Sequence, residues 1–161
     1  MKLPDTPTSL DPRVKWLWRA QSMLRVLLFW LPVSGAAAYG LTSVGGQSAA
    51  AVVGVTVLGL AALMALLWPA LRYQHFNYSV REHDLLVERG VLVRRKSSIP
   101  HNRIQHVDTR QGPIERLFGL SSVAVYTAAG MSADGSIPGL ASDQAEAIRD
   151  ELARRGGDDG V

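Results

Sequence analysis

The residues able to do chemistry crowd into one stretch. "IPHNRIQHVDTRQGPIERLFGL", residues 99–120, holds His101, His106, Asp108, Glu115 and three arginines. Two histidines near a carboxylate could bind a metal, or with a serine could form a nucleophile–base relay; His75 and His83 lie upstream as further ligands. The spacing supports neither reading. No His-Glu-x-x-His sets two imidazoles on one helix face, and no Gly-x-Ser-x-Gly turn exposes a serine. The absence of cysteine removes thiol catalysis and thiolate zinc ligation, and the glycines are scattered at turns rather than gathered into a phosphate loop. The expectation is no catalytic residue, no metal and no cofactor, with His101 in a polar loop.

A second cluster, Arg94-Arg95-Lys96, suits binding. Cations near an anionic membrane surface are worth about 1 kcal/mol each, so these three are candidate contacts for lipid headgroups or a partner. The plain alternative is an edge strand guarded by charge. Nucleic acid is not an expected partner: from Arg72 onward 12 Lys and Arg face 12 Asp and Glu, which leaves no basic field.

The elements that must position these groups begin with a long apolar tract. Residues 26–71 carry no Lys, Arg, Asp, Glu or His. A bilayer core takes about 20 apolar residues of helix, and "SVGGQS" at 43–48 divides the tract into two such lengths, about 23–42 and 49–71. A pair of buried helices in a soluble fold would show an amphipathic stripe, which is missing here. Lys2, Arg13, Lys15, Arg19 and Arg25 precede the first length, Arg72 and Arg81 follow the second, and the connecting turn has no charge. The positive-inside rule then puts both termini in the cytoplasm and the turn outside, in the inner membrane. "AAAYG" offers an Ala-x-Ala cleavage pattern, but the 25 residues before the apolar run are long for a signal peptide. Residues 1–12 read as a flexible tail, and 13–71 as an interfacial lead-in with Trp16 and Trp18 at headgroup level followed by the two spans. Small residues four apart (Ala36 and Gly40; Ala50 and Gly54; Ala61 and Ala65) predict close helix packing.

After Arg72 the period becomes two. Phe76, Tyr78 and Val80 predict one buried strand face; "DLLVERGVLVRR" predicts a hairpin with Gly90 in its loop and a second strand from Val91 that ends on the basic run. Further strands are expected within 103–110, over 121–130 and over 136–140. A helix over about 142–155 carries the stripe Ala145, Ile148, Leu152, and 156–161 reads as a tail. Ile104 and Val107 break alternation, which predicts a bulge or tight turn; Gly112-Pro113 predicts a turn, and "IERLFGL" one helical turn that drops Leu117, Phe118 and Leu120 into the core.

The run Ile99-Pro100, Arg103-Ile104-Gln105, Val107, Gly112-Pro113, Arg116-Leu117-Phe118-Gly119-Leu120, followed by "IPGL" and a short helix, resembles the bacterial pleckstrin-homology-like (PH-like) domain family catalogued as DUF304. Two spans directly before it resemble the YdbS-like membrane proteins. The resemblance implies a transmembrane hairpin followed by an α+β PH-like domain over 72–155, with two small antiparallel sheets capped by a C-terminal helix. It implies no activity. Pro100, Arg103, Gln105, Gly112, Arg116, Phe118 and Gly119 are the motif residues, expected to be structural, with Arg103 and Gln105 tying loops to backbone carbonyls. The function expected is a non-enzymatic protein whose partners are the bilayer and another protein or a second copy. The alternative is contact with anionic phospholipid in envelope maintenance or stress response.

Overall fold

The computed structural model describes residues 6–128 and 133–158, the side chains of 41, 43–45 and 158 excepted. Gly130, expected in a strand, and the last tail residues 159–161 lie outside these. The chain divides into two compact units, Lys15–Leu71 and the combination of Met1–Val14 with Arg72–Val161.

The first unit is helical. Helix α1 (Val14–Arg25) runs into one π turn (Val26–Trp30) and then α2 (Leu31–Gln74), which Gly46 breaks with a non-helical backbone (φ 74°, ψ 167°). The result is two helices long and apolar enough to cross a membrane: Val14–Gly40, 27 residues with an 18-residue window of mean hydropathy 1.3, and Gly46–Gln74, 29 residues with one of 2.5. They close on each other at Gly54, where an added Cβ would sit 3.2 Å from the Ala38 Cβ. Ser34 and Ala50 are also buried. The expected Ala36–Gly40 pair does not belong to this seam: Ala36 is exposed and nothing lies within 4 Å of a Cβ at Gly40. Residues 36 and 40 stand two positions from 34 and 38, a rotation of about 200° that turns them away from the partner helix. Trp16 is exposed with the Arg19 guanidinium 4.9 Å over its ring, whereas Trp18, expected at the interface, is buried.

The second unit is a PH-like domain of two antiparallel sheets and a helix. One sheet has the order β1-β2-β3-β4: β1 (Thr8–Ser9), β2 (Asn77–Val80), β3 (Asp84–Arg89) and β4 (Arg95–Pro100). The other is β5 (Ile104–Arg110), β6 (Leu120–Thr127) and β7 (Gly135–Ala141). Helix α3 (Pro113–Leu117) links β5 to β6, and α4 (Ser142–Asp158) packs on the second sheet. The core lies where Leu85 and Ile99 of the first sheet meet the start of β7 and where Ala145, Ile148 and Leu152 of α4 are fully buried. The side-chain period of two brings Phe76, Tyr78 and Val80 inward as expected, with the Tyr78 hydroxyl accepting from Gln144 Nε2 at 3.0 Å.

Four expectations change. The segment read as an N-terminal tail pairs with β2 (Thr8↔Tyr78), and Leu10 is core, its carbonyl accepting from the Tyr73 hydroxyl at 3.0 Å. The second hairpin strand starts at Arg95, not Val91, because residues 90–94 form the loop. Leu117 is 84 % exposed while Leu120 is fully buried: the five-residue α3 is too short to turn both inward. Helix α4 continues to Asp158, so residues 156–158 are not tail, and Gly156 lies against Ile104 and the His101 carbonyl. The bulge expected after Ile104 is present between Ile104 and His106.

Near the end of α4, Glu151 accepts from Arg154 Nη2 at 2.7 Å and Arg155 Nε at 2.6 Å. These bonds, Arg154 first, hold its carboxyl below the usual carboxylate range. A carboxyl lowered on folding adds stability that is complete above its unfolded value and lost as pH falls through the folded one. Glu151→Gln is therefore expected to lower the melting temperature at pH 7, and the gap to the natural chain should narrow as the pH falls below the usual carboxylate range. A gap that persists in acid would show that the pair contributes through packing.

Candidate functional site

The hairpin β3–β4 carries the basic cluster. Its strands pair in register, with Glu88 opposite Lys96 and Arg89 opposite Arg95. Lys96 and Glu88 form a 2.7 Å ion pair. Arg89, Arg94 and Arg95 have no ion pair among the described residues, and like charges directly opposite on a sheet destabilise it. The structure keeps that repulsion at the mouth of a 530 Å³ cleft lined by Gln74, His75, Asn77, Glu88 to Gly90 and Arg94 to Lys96. Between the strands, Gly90 adopts φ 124°, and a Cβ there would lie 1.9 Å from the Val93 carbonyl oxygen, so only glycine closes this loop without displacing it. The closure pushes Leu92 and Val93 out, 85 % and 71 % exposed, beside the cations. Sequence reasoning found the cations but spent Val91 and Val93 on a strand, and so missed the apolar tip and Arg89.

The stretch 99–120 separates into inward and outward groups. Pro100 ends β4 and begins a 3₁₀ turn, His101–Arg103. His101, expected in a polar loop, is 1 % exposed. His106 is exposed, with Nε2 2.6 Å from Asp108 Oδ1. Asp108 also lies 3.7 Å from Arg110 Nη2, and Arg110 donates to the Tyr126 hydroxyl and stands 5.7 Å over its ring. This outer face of β5 and β6 is a polar ladder, and the two histidines do not converge. Among the described residues no group of three or more His, Cys, Asp and Glu is placed to hold a metal.

Among the described residues, neither Arg103 nor Gln105 donates to a backbone carbonyl. Both are exposed, and they line a shallow 460 Å³ cleft with Asn102, Ile104, Thr127 and Ala128. Gln105 is the bulge residue, which directs it away from the ladder. The ties come from elsewhere. Gln111 Nε2 donates to the Leu120 carbonyl at 3.0 Å and reaches Ser142 Oγ at 3.1 Å. Arg155 donates to the Arg81 carbonyl at 2.6 Å, and Arg13 to the Phe118 carbonyl at 3.4 Å. Around α3, the Gly112 N–H donates to Glu115 Oε2 at 2.7 Å, half a capping box that a glycine cannot return. Arg116 is exposed, Phe118 half-buried, and Gly119 (φ 63°) reverses the chain into β6.

The comparisons agree with this architecture. The chain is 36% identical over 86 residues to the UPF0699 transmembrane protein YdbS of Bacillus subtilis (strain 168), 53% of this chain and 52% of that one. It is 23% identical over 103 residues to the UPF0699 transmembrane protein YdbT of the same organism, 63% of this chain and 21% of that one. The chain thus spans about half the length of one relative and a fifth of the other. No solved structure matches. The family described as Bacterial PH domain matches residues 26–156, which takes in most of the chain. Two helices fit to cross a bilayer, two small sheets, a closing helix and that match together make this transmembrane chain a member of the bacterial PH domain family.

Proposed function

We propose that this is a non-enzymatic inner-membrane protein with both termini cytoplasmic, which presents its PH-like domain as a contact module and engages anionic headgroups through the β3–β4 loop. The observation that carries this reading is the pairing of an exposed apolar tip, Leu92-Val93, with Arg89, Arg94 and Arg95, three cations without an ion pair among the described residues. An apolar tip dips into the acyl boundary while flanking cations meet phosphate, and two signals of this kind reinforce each other. Repulsion between Arg89 and Arg95 is relieved when an anion sits between them. A chain held in the bilayer by two spans meets the surface at high effective concentration, so even a weak contact is populated.

The chain has no cysteine, so a single introduced thiol reports cleanly. Full-length Leu92→Cys carrying a polarity-sensitive dye, in nanodiscs, should shift to the blue with phosphatidylglycerol and not with phosphatidylcholine alone. Adding Arg94→Glu, Arg95→Glu and Lys96→Glu should abolish the shift, which ought also to fade with salt. A Gln47→Cys chain should react with an impermeant reagent outside intact cells. A dye shift indifferent to lipid charge removes the lipid reading.

A second reading, contact with a protein partner or another copy, is favoured by the outward ladder His106–Asp108–Arg110–Tyr126, whose half-buried aromatic and paired charges suit a polar interface. Cross-linking from Tyr126 in intact membranes that captures only monomer would count against it.

A further inference from the structure

The helical hairpin is closed in one half and open in the other. At Gly54 and Ala38 the helices touch. Toward the end that carries Arg25 and Trp68 they part around a 480 Å³ groove whose walls are Val26 and Trp30 on one side and residues 57–68 on the other. Trp30, Leu60 and Met64 are 46 %, 56 % and 54 % exposed there, while Ala65 forms a buried floor. The π turn Val26–Trp30 lies along this wall; a single π turn inside an α-helix is a costly irregularity that recurs at binding sites.

Depth and charge identify the occupant. The wall from Val57 to Trp68 rises about 17 Å at 1.5 Å per residue, close to one leaflet of a hydrocarbon core about 30 Å thick. A further transmembrane helix would need a contact running through both leaflets, and the other half is closed by the Gly54–Ala38 seam. At the polar end, Ser22 and Arg25 line the mouth of the groove. No Asp or Glu occurs anywhere in residues 12–81, and Arg25 has no ion pair among the described residues. The geometry points to a resident phospholipid of net negative charge, with its phosphate on Arg25 and Ser22 and one acyl chain against Trp30, Leu60 and Met64. Arg25 immediately precedes the first charge-free residue, so its guanidinium stands at headgroup level where a phosphodiester lies. The lipid would complete the wall that the two helices leave open in that leaflet.

The full-length chain extracted in mild detergent should carry lipid by native mass spectrometry, enriched in phosphatidylglycerol or cardiolipin over the host membrane. Arg25→Gln should lower the retained anionic lipid about fivefold, the factor one headgroup cation supplies at an anionic surface. Ala61→Phe, which fills the groove, should expel lipid with Arg25 intact, and Arg149→Gln should change nothing. In nanodiscs the natural chain's tryptophan fluorescence should be quenched more by brominated phosphatidylglycerol than by brominated phosphatidylcholine at equal mole fraction; this arm needs no variant to fold. Equal quenching by the two lipids, or unchanged retention in both groove variants, overturns the proposal. So does a Leu60→Cys chain that cross-links efficiently to a second protein, which would show a helix in the groove. None of these results bears on the β3–β4 loop, which is read by its own dye.

Discussion

Gly139→Ala should destabilise the PH-like unit by about 2–4 kcal/mol, the sum of a left-handed alanine and an overpacked contact. Gly139 sits in a bulge of β7, where Ser121 pairs with Leu140 but Val123 already pairs with Ile137, so Pro138 and Gly139 together face one residue of β6. The bulge is made by φ 63°, which an L side chain rarely adopts. A Cβ there would lie 2.0 Å from Val14 Cγ2 and 2.7 Å from Val14 Cβ. Val14 is fully buried and β-branched, so it cannot swing aside. The Asp11 N–H donates to the Gly139 carbonyl at 3.3 Å, which makes this the point where the N-terminal segment fastens to the second sheet. For a unit of this size the melting temperature of the full chain should fall by roughly 10–25 °C. Val14→Ala in the same chain should recover the clash and leave the backbone strain, so the two changes should be non-additive by more than 0.5 kcal/mol or so. A melting temperature within a few degrees of natural for Gly139→Ala would mean that Val14 does not pack here.

Much of this architecture was legible because it rests on periods. A charge-free tract gave the two spans, alternation gave β2, β3 and β6, and Ala145, Ile148 and Leu152 gave the buried face of α4. What escaped is what periods do not encode. Thr8-Ser9 is too short and too polar to look like a strand, and only pairing with the distant Asn77 and Tyr78 makes it one. Val91 and Val93 look like strand residues, yet the backbone that Gly90 imposes puts them in a loop. Arg103 and Gln105 have donors enough to tie loops, but donor count says nothing about direction; among the described residues the ties come from Gln111 and Arg155, in less conspicuous places. The basic run was visible as charge, while the placing of Arg89 opposite Arg95, without an ion pair among the described residues, depends on register.

His101→Ala is expected to cost about 2–4 kcal/mol, a buried side chain lost together with one of its hydrogen bonds. The imidazole is 1 % exposed, and Nε2 lies 2.9 Å from the Arg81 carbonyl. A carbonyl can only accept, so Nε2 donates to it, and Nδ1 is buried without a partner among the described residues. The His101 backbone N–H donates to the His83 carbonyl at 3.1 Å, and Arg155 Nη1 donates to the same Arg81 carbonyl at 2.6 Å. The turn between β2 and β3 is thus held by the 3₁₀ segment of the motif stretch and by the last turns of α4. Either donor alone leaves the Arg81 carbonyl satisfied, and loss of both does not. The double variant His101→Ala/Arg155→Ala should therefore lose more stability than the sum of the singles, with a coupling of about 0.5–2 kcal/mol in denaturant titrations. His101→Leu should be milder than His101→Ala, because it refills the volume and removes the orphaned Nδ1. If the two changes simply add, the shared carbonyl is not what joins α4 to the first sheet. If leucine is as harmful as alanine, the hydrogen bond outweighs the packing.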